Sequence, residues 1–152
     1  MTRRRQRHGV VFLELILVLP VVAIFLAAVV QFGLIQINAQ HVTMASRVGA
    51  KALAENTSLT AAQVKAEVDR YFELAGFGAG ASAGVRIAAS GGGVGTTDGM
   101  CADTGMGFTT TIPARKVRVC MDLTKLTPNL LNVFGYDISS HTYRAETVFP
   151  EE

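Results

Sequence analysis

From Val10 to Val30 apolar residues follow one another without the alternation of a strand or the spaced stripe of a surface helix. Glu14 is the one ionisable residue among these 21, and the run contains no Gln, Asn, Ser or Thr. As a helix it measures about 32 Å, close to a bilayer hydrocarbon core of about 30 Å, so the pattern predicts a membrane-spanning helix. Beyond Val30 polar residues enter at Gln31, Gln36, Asn38, Gln40 and His41. Apolar or small residues then recur at Leu34, Ile35, Ile37, Val42, Ala45, Val48, Gly49, Ala52 and Leu53. That spacing approximates a helical face, and no turn cluster interrupts it before Asn56-Thr57-Ser58. One helix from Val10 to about Glu55 is expected, lipid-facing first and amphipathic afterwards. Pro20 falls inside its membrane half, where loss of a backbone donor favours a kink.

The remainder reads as shorter elements. Thr60-Ala-Ala-Gln63 has capping-box form and opens a second helix from Ala61 to about Ala75, with Val64, Val68, Tyr71, Phe72 and Ala75 on its apolar side. Gly76, Gly78, Gly80 and Gly84 end it. Val85 to Ala89 is a candidate strand, and "SGGGVGTTDGMCADTGMG" reads as a flexible loop. Phe108 to Ile112 and Lys116 to Asp122 are strands by pattern. The latter puts Val117, Val119 and Met121 on one face and Lys116, Arg118 and Cys120 on the other. Thr127-Pro128 caps a short helical turn through Leu131, and Ile138 to Phe149 forms the last strand. The expected architecture is α+β: a long N-terminal transmembrane helix continuing into an amphipathic helix packed on a small, mainly antiparallel β-sheet. The chain divides into a basic cytoplasmic leader (1–9), the transmembrane helix (10–33) and an exported domain (34–152).

Charge sharpens this reading. Arg3, Arg4, Arg5 and Arg7 precede the apolar run, and the next cations are Arg47 and Lys51. By the positive-inside rule the N-terminus stays cytoplasmic and the rest is exported. The formal charge of +2 becomes −2 once these four arginines are set aside, so the basic stretch is a topology signal and not a nucleic-acid footprint. The apolar run exceeds an ordinary signal-peptide core, and no A-x-A site follows it. Cys101 and Cys120 both fall in the exported part, where an even count suggests a disulfide; two free buried thiols are the alternative. No GxxxxGK[ST] phosphate loop, paired catalytic carboxylates or metal-ligand spacing stands out. His8, His41 and His141 are scattered. No cofactor and no enzymatic activity are expected.

Packing is the better-supported theme. Ala23 and Ala27, and again Ala45 and Gly49, are small residues four apart, the spacing that lets helices approach closely. The first pair suits contacts within the membrane and the second an intramolecular seam against the strands.

Glu14 lies five residues after Gly9. Basic residues, a glycine, then a greasy helix with Glu at this distance resemble a type IV prepilin processing site. The resemblance implies cleavage between Gly9 and Val10 and a role for Glu14 in assembly and register. "GVVFLELILVLPVVAIFLAAVVQFG", with Gly9, Glu14, Leu19-Pro20 and Phe32-Gly33, is similar to the opening of TadE-like pilus-assembly pseudopilins. "ASRVGAKAL" (45–53) and "ISSHTYRAE" (138–146) resemble later stretches of that family. Where members carry an aromatic residue after the glutamate, this chain has Leu15. The resemblance implies a non-enzymatic minor pilin of a tight-adherence (Flp) pilus or related secretion system in the bacterial inner membrane. Its implied partners are other pseudopilins, the major pilin, the prepilin peptidase and the inner-membrane assembly platform. The alternatives are an uncleaved, membrane-anchored scaffold of an envelope complex and a secreted domain released by signal peptidase.

Overall fold

The structure, a computed structural model, describes residues 4–77, 83–90, 94–98, 101, 108–139 and 141–151, with 4–11, 94–98 and 126 described by backbone alone. Helix α1 runs from Arg4 to Glu55, 52 residues without a break at Pro20, a rod of roughly 78 Å. It starts six residues earlier than the expected Val10. Arginine is a good helix former and no proline or turn cluster separates Arg4 from Val10. The second helix, α2 (Ala61–Leu74), opens on the expected capping box: Gln63 N–H donates to Thr60 Oγ1 while Gln63 Oε1 accepts from the Thr60 N–H. Val64, Val68 and Phe72 are buried along it, but Ala75 is its exposed C-cap. Gly76 follows with φ +90°, a left-handed turn that glycine adopts without strain.

Four antiparallel strands follow: β1 (Gly84–Ala89), β2 (Val94–Asp98), β3 (Ala114–Asp122) and β4 (Thr142–Pro150), in the order β2-β1-β3-β4. Gly84 thus opens a strand instead of ending a helix. Strand β2 corrects the reading of the Gly-rich stretch as loop throughout. Its β-branched Val94, Thr96 and Thr97 suit a strand, and a register shift between Arg86 and Ala88 lets it pair with β1. Conversely, 108–112 forms no strand. Pro113 directly follows, disfavouring ladder pairing there, and the Phe108 ring instead lies 5.9 Å from Lys116 Nζ. The turn expected after Thr127 is a 3-10 helix (Leu130–Phe134), and a four-residue helix, α3 (Leu123–Leu126), precedes Thr127. The last strand begins at Thr142 rather than Ile138, because Ile138 is buried in a turn whose carbonyl accepts from the His141 N–H.

The core lies between the sheet and the two helices. Val42, Ala45, Ala50 and Leu53 from α1 meet Val64, Val68 and Phe72 from α2 and Val85, Val117, Val119 and Met121 from the sheet. Gly49 allows the close approach: a Cβ there would lie 3.1 Å from methyls of Val64 and Val68 and 3.3 Å from one of Val117. Ser46 donates to the Thr43 carbonyl (2.8 Å) and shares a 2.6 Å hydrogen bond with Thr147 of β4, so a buried hydroxyl is satisfied within the seam. The expected α+β architecture is the observed one.

Candidate assembly surface on the long helix

Among the described residues, the large apolar side chains of α1 from Phe12 to Val30 are exposed. Phe12, Leu13, Leu15, Leu17, Leu19 and Phe25 are all more than half exposed, and at about 100° per residue they point to every side of the helix. In water such a surface is untenable, so it calls for lipid or other helices. This helix is long and apolar enough to cross a membrane. Ala23 is exposed and Ala27 half-buried, leaving a stretch where another helix could approach closely.

Glu14 is exposed among these side chains, and among the described residues no cation meets it. It stands one helical turn, about 6 Å, beyond Val10. Gly9 and Val10 are inside α1, as are Arg4, Arg5 and Arg7; Arg3 lies outside the described residues. The fold therefore sets Gly9, Val10 and Glu14 on one continuous helix. At mid-membrane a bare carboxylate costs about 2.5–3.5 kcal/mol on insertion scales, and less near the interface.

The second small pair behaves differently. Ala45 is fully buried and Gly49 sits against α2 and β3, so this pair joins α1 to its own α+β domain, with α2 as well as the strands. Arg47 is exposed, and Lys51 pairs with Glu55 at 3.7 Å on the surface.

Sequence reasoning missed the junction between the two halves. Gln31, the first polar residue after the apolar run, is fully buried. Its Oε1 accepts a 2.7 Å hydrogen bond from the Leu131 N–H, while its Nε2 has no partner. Phe32 meets Tyr136, with ring centroids 6.0 Å apart. His41 was also missed: it is half-buried, 3.3 Å from the Tyr71 hydroxyl and edge-on to Phe77. A lone glutamine bordering an apolar run was the available signal for the first; nothing local marks the second.

On the outer face of the sheet, Glu146 receives Lys116 Nζ at 2.5 Å and the Arg118 guanidinium. Burial pushes its carboxyl up, but the two cations outweigh this and hold it below its ordinary range. Cys101 and Cys120 form a disulfide, with Cα atoms 5.3 Å apart. Its cross-link ties the chain after β2 to the central part of the sheet.

No curated protein and no solved structure matches this chain. The model of the TadE-like protein family matches residues 9–51. That interval runs from the glycine before the apolar stretch to the turn of α1 just past Gly49, covering both the uncovered and the buried halves of the helix. Over these residues the long N-terminal helix of this chain is similar to that of TadE-like proteins.

Proposed function

We propose that this protein is a minor pilin, or pseudopilin, of a tight-adherence (Flp) pilus or a related secretion system, acting in pilus assembly or its initiation. The observation that carries the reading is Glu14: an exposed carboxylate on an otherwise apolar, uncovered helix, five residues past Gly9 and inside the segment that matches TadE-like proteins. The arginine cluster holds the N-terminus in the cytoplasm and the α+β domain is exported. A prepilin peptidase cuts between Gly9 and Val10, leaving an ammonium on Val10. The Glu14 carboxylate of a neighbouring subunit takes that ammonium as its partner. In lipid the pair rewards one stagger of adjacent helices and penalises the others, contributing register more than net stability. Ala23 and Ala27 permit the close helix contact. The partners are other pseudopilins, the major pilin, the peptidase and the inner-membrane platform; the role is structural, without catalysis or cofactor.

One observation favours a second reading, an uncleaved inner-membrane anchor that scaffolds an envelope complex. Helix α1 runs without interruption from Arg4 through the Gly9–Val10 bond, so the helix must open there before a peptidase can act. Mass spectrometry of the N-terminus of the natively expressed protein separates the two. A chain beginning at Val10 is expected; one beginning at Met1 or Thr2 establishes the anchor instead. Glu14→Ala is expected to insert normally and fail in assembly, and full piliation by that variant in a null strain would overturn the register role.

A further inference from the structure

We propose that the 3-10 turn Leu130–Phe134, with Tyr136, is a second membrane contact: it lies in the headgroup boundary of the bilayer that α1 spans, on the exported side. The inference rests on the membrane-spanning reading of α1. Its first support is position. The Leu131 N–H is bonded to Gln31, and Phe32 meets Tyr136, so the turn is fastened to α1 at the first two residues after the 21-residue apolar run. Any bilayer that takes up the run brings its surface to the level of this turn.

The second support is chemistry. Residues 128–136, "PNLLNVFGY", contain no charge. Val133 is 87% exposed, more than any other large apolar side chain among the described residues, and Phe134 and Tyr136 are about half exposed. A 3-10 helix has three residues per turn, so Leu130 and Val133 stack on one outward face while Leu131 is buried toward α1. Tyr136, with an apolar ring and a hydroxyl, is a residue type that concentrates at membrane boundaries. Beside the turn, Asp137 accepts from the Asn129 amide (2.7 Å), the Ser139 N–H (2.9 Å) and the Ser139 hydroxyl (2.6 Å).

Lipid is the occupant because the patch is continuous with the lipid-facing surface of α1. Val29, Val30 and Phe32 are each more than half exposed and lead directly to it. A helix alone leaves the exported domain free to rotate about its axis and to tilt; a second contact beside the exit point fixes which face of the domain looks away from the membrane.

The chain has no tryptophan, so one introduced indole reports alone. The full-length protein carrying Val133→Trp, and separately Phe134→Trp, is reconstituted into phosphatidylglycerol/phosphatidylethanolamine vesicles with bromine placed near the headgroups or deep in the acyl chains. Leu17→Trp serves as the control within the span and Glu67→Trp, on exposed α2, as the control in water. The expected result is blue-shifted emission from positions 133 and 134 that loses most of its intensity to shallow bromines and less to deep ones, with Glu67→Trp unquenched. Deep quenching of Leu17→Trp with positions 133 and 134 as unquenched as position 67 overturns the turn's insertion and leaves the spanning helix standing. If Leu17→Trp escapes quenching, the spanning reading falls and the proposal with it. Burial of positions 133 and 134 only when other pilus subunits are added assigns the patch to a subunit interface and overturns the lipid assignment.

Discussion

Two halves of one helix, α1, meet different surroundings and show how the same backbone serves two purposes. From Phe12 to Val30 the large apolar side chains around the helix face outward on all sides, exposed among the described residues. From Ala39 to Ala54 a single buried stripe packs on α2 and the sheet, while Ile37, Met44 and Val48 stay outside it. Hydrophobicity alone does not separate the halves; its angular distribution does. A full apolar circumference requires an external apolar solvent, whereas a stripe requires one folded partner. Small residues divide in the same way: Gly49 is occupied by its own domain, and Ala23 is still open.

The largest effect comes from removing the same atoms in each half. Leu53 is 1% exposed and Leu17 is 74% exposed. Leu53→Ala is expected to lower the stability of the α+β domain by about 2–5 kcal/mol, through lost burial and a residual cavity. Leu17→Ala should leave that domain's denaturation midpoint in detergent unchanged. Equal losses from both variants would mean that the first half of α1 supports the domain directly, and the contrast would fail.

A smaller effect sharpens the comparison at two glycines. Gly49→Ala drives a methyl against Val64, Val68 and Val117, which form the tight side of the core; a loss of about 1–3 kcal/mol is expected for such overpacking. At Gly33 an added Cβ meets nothing within 4 Å, so Gly33→Ala should stiffen the helix by about 0.5–1 kcal/mol. Thermal melts of the two variants should therefore move in opposite directions. If Gly33→Ala melts higher yet stops assembly, the space beside Gly33 belongs to another subunit.

The long helix was legible because its signals are local and repeated: an unbroken apolar run, then a helical stripe, then a turn cluster at Asn56-Thr57-Ser58. The capping box at Thr60 and Gln63 was equally local. The disulfide partners were legible from count and compartment, since only two cysteines exist. The sheet's edges were less so. Strand β2 hides within glycines because its pairing depends on β1, a partner that no window of sequence contains. Phe108 to Ile112 alternates plausibly, but Pro113 directly after it disfavours ladder pairing. Gln31 required tertiary knowledge of another kind: its partner is 100 residues away. Of the candidate assembly site, the sequence revealed Gly9, Val10 and Glu14 together, because they lie within one helical turn or two; the junction with the 3-10 turn came only from the fold.

A comparably small effect contrasts two carboxylates. Glu14 has no cation beside it among the described residues, whereas Glu146 lies across from Arg118 in the β3–β4 register and also holds Lys116. Burial raises the Glu146 carboxyl, and the two cations lower it further, to a net depression from its ordinary 4.5. In the unfolded chain these cations disperse, so below that value the unfolded state binds the proton more readily. Folding stability from this group is therefore complete above about pH 4.5 and is lost as pH falls through the depressed folded value. Glu146→Gln keeps the shape but abolishes the charge, so it should flatten part of the acid limb of a stability-against-pH curve. At neutral pH it should cost roughly 1 kcal/mol, discounted for the group's partial exposure. Asp137 is also depressed, by hydrogen bonds from the Ser139 hydroxyl, the Ser139 N–H and the Asn129 amide. Its contribution persists in Glu146→Gln and vanishes only in a double variant with Asp137→Asn. If Glu146→Gln leaves the acid limb unchanged, Lys116 and Arg118 are held by other groups, and the sheet's outer face owes its order to the disulfide and the ladder alone.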